Sequence, residues 1–124
     1  MPVVLLRYKA NRLNMKTMQM LTAALPKIFA DALDVPENPG ARLTPADIQI
    51  WPMKSDELDV NVKDLQMMMP LHAFPERIAN LEERKDKIMH QVRELLADQV
   101  AFGGGPIEGW VWLLPSNDTA FGRL

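Results

Sequence analysis

One order of patterns occurs twice along the chain and limits its fold more than anything else in it. A short apolar run is followed by a polar loop, a long helical stripe and a second short apolar run, first over about residues 2–52 and again over about 59–114. The two copies share no convincing identity, so the repeat is one of architecture. Strand, helix, strand in that order reads as a β-α-β unit, and a right-handed crossover makes the two strands of each unit parallel. Two such units predict an α+β fold: one four-stranded sheet with two helices on one face and the other face uncovered. At 124 residues the chain is expected to form a single domain, 1–124.

In the first copy, Val3–Tyr8 is apolar and rich in β-branched residues, and Lys9-Ala10-Asn11-Arg12 closes it as a polar loop. Asn14 is placed to cap a helix. Met15, Met18, Leu21, Leu25, Ile28, Ala32 and Leu33 then recur at three- and four-residue steps, an amphipathic helix of about five turns. Pro26 removes one backbone hydrogen bond and is expected to kink or divide it. Leu33-Asp34-Val35-Pro36 ends the helix, and Asp47-Ile48-Gln49-Ile50-Trp51 alternates as a strand closed by Pro52.

The second copy opens on a strand region from Val60 to about Leu71, whose buried face is expected to switch at a bulge or turn near Lys63-Asp64. Met67-Met68-Met69 reads as buried strand, since thioethers fill gaps in apolar cores. His72-Ala73-Phe74 leads into a helix with Pro75 in its first turn. Ile78, Leu81, Ile88, Val92, Leu95 and Leu96 form its apolar stripe. Glu82, Glu83, Arg84, Asp86, Lys87, Arg93 and Glu94 form a solvated charged face that also holds His90. Phe102-Gly103-Gly104-Gly105-Pro106 is a loop that precedes a strand, whereas a phosphate-binding loop opens a helix. Trp110-Val111-Trp112-Leu113-Leu114 is the last strand, with both tryptophans on one face as a pocket wall, a subunit contact or ordinary core.

Composition narrows the chemistry. A formal charge of −2 from well-mixed signs argues against nucleic acid as a partner. With no cysteine there is no thiol nucleophile, disulfide or thiolate metal site, and His72 and His90 have no ligand cluster around them, so no metal is expected. Neither a signal-peptide pattern nor an apolar run of membrane-spanning length is present, and a soluble cytoplasmic protein without a membrane partner is the expectation. One unusual functional group stands out. If Met1 is removed, which a small following residue permits, Pro2 presents a secondary amine at the start of a strand, whereas every other proline nitrogen is an amide.

Met1-Pro2 directly before a strand, Arg12 in the loop after it, a first helix closing in Leu33-Asp34-Val35-Pro36, and Asn117-Asp118-Thr119-Ala120-Phe121-Gly122-Arg123 after the last strand together resemble the tautomerase superfamily. That group includes oxalocrotonate tautomerase, carboxymethyl-hydroxymuconate isomerase, malonate semialdehyde decarboxylase and macrophage migration inhibitory factor. The resemblance implies a homotrimer of double β-α-β subunits, an N-terminal proline acting as base or acid, and neither metal nor organic cofactor. Two positions depart from the pattern: Gln49 stands where some members carry arginine, and Thr119-Ala120 lacks the frequent aromatic before Phe-Gly.

Proton transfer on an enol or keto acid needs a base that titrates near working pH and cations for the carboxylate and the developing enolate. Pro2 is the candidate base. Arg12 and Arg77 follow the first strand of each copy and offer matched cations, with Arg42 and Lys9 in reserve, although each can equally be a plain surface charge. Trp110, Trp112 and Phe121 are candidates for the apolar wall around the substrate, and Trp51 a weaker one. The expected function is thus a tautomerase or isomerase of a small carboxylate-bearing enol or keto acid. The alternatives are a binding or assembly protein that keeps the fold without activity, and a hydratase, dehalogenase or decarboxylase in which Pro2 acts as acid.

Overall fold

The computed structural model describes residues 2–97 and 105–117. Its elements follow in the order β1 (Val3–Tyr8), α1 (Met15–Leu33), β2 (Gln49–Lys54), β3 (Leu65–His72), α2 (Pro75–Ile78), α3 (Leu81–Leu96) and β4 (Gly109–Ser116), with short 3₁₀ turns at Pro39–Ala41 and Pro45–Asp47. The four strands form one sheet in the order β2-β1-β3-β4. Within each half the strands are parallel, β1 with β2 and β3 with β4, as right-handed crossovers demand. The halves meet antiparallel, with Leu5 opposite Met68 and Tyr8 opposite Leu65. This is the α+β architecture expected from the repeat.

One face of the sheet carries the core. Val4, Leu6 and Tyr8 of β1, Leu65, Met67, Met69 and Leu71 of β3, and Val111 and Leu113 of β4 are buried beneath the helices. Period-two alternation puts every other side chain of a strand on one face, so a single apolar register places all of them on the core side together. Helix α1 adds Met18, Leu21, Leu25, Ile28, Phe29, Ala32 and Leu33. Asn14 caps it, its side-chain oxygen accepting from the Thr17 N–H at 2.8 Å. Asn14→Ala should cost about 1 kcal/mol of stability, read as a lowered urea midpoint at unchanged slope.

Several elements differ from the sequence reading. Pro26 lies inside a continuous α1, because packing of Leu25, Ile28 and Phe29 on both sides of it outweighs one missing backbone bond. Strand β2 runs on through Pro52 to Lys54, which its place at the sheet edge permits, since an edge proline needs no ladder partner for its missing N–H. Val60 is exposed in a loop that contains Asn61 at a left-handed φ of 61°, and β3 begins only at Leu65. The second helix is two helices, α2 and α3, separated at Ala79-Asn80. At the start of β4 the backbone passes so close to β3 that a Cβ on Gly109 would sit 2.0 Å from the Leu65 carbonyl oxygen.

Among the described residues, no helix is long and apolar enough to cross a membrane.

Candidate functional site

Strand directions decide which candidates can meet. Because β1 and β3 are antiparallel, the start of β1 lies at the end of β3, and the loops that follow the two strands fall at opposite ends of the sheet. Pro2 is half-buried where β1 begins, its carbonyl accepting the Gln49 N–H at 3.0 Å. The end of α1, the segment leading into β2, and His72, Phe74 and Arg77 share that end. Arg12 and Lys9 stand at the other. At about 3.3 Å per residue, the strand keeps them roughly 20 Å from Pro2 within one subunit.

Within one subunit the expected pair of matched arginines does not meet at Pro2. Arg12 is a clasp at the far end: its Nε pairs with Asp64 at 3.2 Å and its Nη2 donates to the Pro106 carbonyl at 2.9 Å, while Asp64 also accepts the Glu108 N–H at 2.9 Å. Together these fasten the lead-in of β4 to the loop after β1. Arg77 does share an end with Pro2, but it is 3% exposed and its donors point inward. Nε donates to the Leu33 carbonyl at 2.9 Å, Nη1 to His72 at 3.2 Å and Nη2 to Ala41 at 3.0 Å. Burial, and after it the charge of Arg84, pull the Arg77 guanidinium below its usual pKa, with Asp34 and Glu76 opposing.

Helix chemistry explains why so many cations gather there. The last carbonyls of α1 have no intrahelical donor and carry the negative end of the helix dipole, and the last turn of α1 has no basic residue of its own. Arg77 takes the Leu33 carbonyl, while Arg84 of α3 takes those of Ala32 at 3.1 Å and Asp34 at 2.9 Å. Arg84, read from sequence as part of a solvated face, is thus a second pin. Sequence periodicity counts it as outside because the groups it serves belong to another helix.

Arg42 is exposed at the same end, with its Nε on the Asp34 carboxylate at 3.0 Å. Burial pushes the Asp34 carboxyl up, but the Leu43 N–H and Arg42 outweigh it, and the net pKa lies below the ordinary value. Lys9 instead lines a cleft of about 470 Å³ with Ser55, Asp56, Asp59 and Asn61. A larger cavity of about 550 Å³ also lies away from Pro2, between α3 and the lead-in of β4; its walls Ala97 and Gly105 flank residues 98–104, outside the described residues.

Trp110 and Trp112 do share a face, the uncovered one, with ring centroids 6.1 Å apart and near edge-to-face. Sheet register places Trp51, Leu5, Met68 and Trp112 in one row across all four strands, and Trp51 and Trp112 are each 54% exposed. Leu114 pairs with Pro70 in a neighbouring row. Strand β3 stands between Trp112 and β1, and the row of Trp112 meets β1 at Leu5, three residues from Pro2, so within one subunit it does not adjoin Pro2. Phe121 and the Asn-Asp-Thr tail beyond Asn117 lie outside the described residues, as does Met1. Among the described residues no group of three His, Cys, Asp or Glu side chains is disposed to hold a metal ion.

The residue that the sequence reading passed over is His72. It lay in a stretch read as a plain loop, and only the antiparallel pairing of the halves brings it to the Pro2 end. It closes β3, exposed, with its ring edge-on to Phe74 at 4.5 Å.

Comparison with known proteins agrees with this geometry. No family model matches the chain, and no curated protein matches it. Solved structures do. A wild-type fused 4-OT that forms an asymmetric trimer superposes with a TM-score of 0.63 at 12% identity, covering 98% of this chain and 91% of that one. A macrophage migration inhibitory factor-like protein from Entamoeba histolytica gives 0.55 at 13% identity, over 98% and 96% of the two chains. Malonate semialdehyde decarboxylase gives 0.54 at 17% identity, over 98% and 91%. All three are tautomerase superfamily members. Two antiparallel β-α-β halves in one sheet, helices on one face and a proline opening the first strand, make this the tautomerase-superfamily fold.

Proposed function

We propose that the protein is a tautomerase that moves a proton on a small carboxylate-bearing enol or keto acid, with the amine of Pro2 as general base. The observation that carries the reading is the position of Pro2: it opens β1 in this fold, half-buried, with its carbonyl tied to Gln49. A prolyl amine in water is too basic to work as a base at neutral pH. Partial burial disfavours its charged form, and so does the positive charge of Arg77 and Arg42 gathered at that end. Of the four cations expected from the sequence, Arg42 is the one exposed at that end, held on Asp34.

Self-association belongs to the same reading. Among the described residues nothing covers the tryptophan-bearing face, and the superposing 4-OT structures are trimers. Covering the exposed half of each of Trp51 and Trp112, on the order of 100 Å² apiece, contributes roughly 2–3 kcal/mol per ring. Sedimentation at micromolar concentration should give about three times the 14.1 kDa subunit mass, and Trp112→Asp should shift the protein toward monomer. A stable wild-type monomer would rule out the trimer.

The decisive assay offers simple enol acids, phenylenolpyruvate or a hydroxymuconate, to protein whose intact mass shows Met1 removed. Ketonisation above the buffer rate supports the tautomerase. If the oligomer is intact and neither acid turns over, the fold serves binding or assembly instead.

A further inference from the structure

At the Pro2 end of the sheet the His72 side chain is exposed and has not been given a role. Arg77 spends its donors on three backbone carbonyls, and Arg12 and Lys9 are at the opposite end. His72 is at the right end. The β1–β3 register, carried three residues past Leu5–Met68, sets Pro2 beside Leu71, the residue before His72. Its side chain alternates onto the uncovered face with Met68 and Pro70, and among the described residues its ring nitrogens have no hydrogen-bond partner.

The residue is nevertheless held. Its carbonyl accepts from Arg77 Nη1 at 3.2 Å and from the Phe74 N–H at 3.0 Å, and the next N–H, of Ala73, donates to Ser116 at 3.1 Å. Phe74 meets the imidazole edge-on at 4.5 Å, and its ring in turn lies under the Arg77 guanidinium at 5.3 Å. A buried arginine, a phenyl ring and an imidazole thus form one stack that reaches the surface at the Pro2 end of the sheet. Rigid support of this kind is what a recognition group needs to avoid ordering costs when it binds.

We propose that His72 is a carboxylate-binding residue of the Pro2 site, its imidazole N–H holding the acid group of the substrate while Pro2 moves the proton. The proposal rests on the tautomerase reading for its substrate class, small enol or keto acids. An imidazole N–H is a directed donor to a carboxylate oxygen, and a hydrogen bond to a charged acceptor is stronger than a neutral one. The charged groups around it are Arg77 on its carbonyl side, Glu76 of α2, which accepts from Asn38 at 3.4 Å, and the Pro2 amine itself; its partner on β4, Ser116, carries no charge.

The test uses mass-verified, Met1-free protein in three forms: wild type, His72→Asn and His72→Arg. For phenylenolpyruvate, His72→Asn should raise KM about tenfold or more with kcat within about twofold, the loss of one charge-assisted bond. His72→Arg, which supplies a fork-shaped donor to a carboxylate, should restore KM, a rescue that a merely structural role for His72 does not produce. Unchanged KM in His72→Asn, or a raised KM that His72→Arg fails to restore, overturns the proposal while leaving the Pro2 chemistry intact. A readout without turnover separates the two readings: added phenylpyruvate should shift the His72 imidazole resonances in NMR. A saturable shift in a protein that turns over no enol acid keeps the anion site and removes the tautomerase, whereas no shift and no turnover remove both.

Discussion

Protein that retains Met1 is expected to show no ketonisation of any enol acid that the trimmed protein turns over. Attaching Met1 converts the Pro2 nitrogen from a secondary amine into a tertiary amide, whose lone pair is delocalised into the carbonyl and accepts no proton. Among the described residues at that end, Arg77 is buried with its donors on backbone carbonyls, His72 is assigned to the substrate's carboxylate, and the chain has no cysteine. Loss of a positioned base costs about 10²–10⁴ in rate. Pro2→Ala, once Met1 is removed, keeps a primary amine at the same strand position and should retain part of the activity. The rate of the trimmed protein should fall as pH drops through a base that titrates below an ordinary prolyl amine, because burial disfavours the charged form. Intact mass beside steady-state kinetics reads all three forms. Equal activity with and without Met1 would remove the proline mechanism.

Arg77→Ala should destabilise the protein by about 3–5 kcal/mol, the largest effect of any substitution at the Pro2 end. The guanidinium joins three separate pieces of chain, the end of α1 at Leu33, the turn at Ala41 and the end of β3 at His72. Truncation leaves three carbonyls without their donor and empties the space that a 3%-exposed side chain fills. Water can enter and recover part of the loss, so the three bonds do not add in full. Arg77→Lys should recover little, since an ammonium cannot span three acceptors that a planar fork reaches at once. Urea unfolding at equal slope measures the difference. A loss under about 1 kcal/mol would mean that the carbonyls find other donors and that Arg77 is available for other work.

These two outcomes divide the roles that the sequence alone had merged. Arg12 and Arg77 hold equivalent places in the two halves, and from sequence that equivalence suggested a shared site. In the sheet it separates them, because related halves that meet antiparallel put equivalent loops at opposite ends. The Arg12 side chain closes on Asp64 and Pro106, and the Arg77 side chain on the end of α1. Neither set of partners lies within a window that sequence periodicity samples.

What the sequence determined by itself is whatever depends on near neighbours along the chain. Alternation at Leu65, Met67, Met69 and Leu71 chose the buried face of β3, the three- and four-residue steps chose that of α1, Asn14 set where α1 begins, and the repeated order of elements fixed an α+β sheet of parallel pairs. Val60 and Val62 also alternate, yet remain in a loop, since two residues beside a left-handed Asn61 bury too little to hold a strand. Tertiary structure alone decided the relative direction of the two halves, and with it which polar groups share an end with Pro2. The physical reason is that a strand's apolar pattern reads the same whichever way its neighbour runs. Direction is set by how the two β-α-β units bury their helices together, and the carbonyls that Arg77 and Arg84 satisfy exist as unmet acceptors only once α1 has ended beside them.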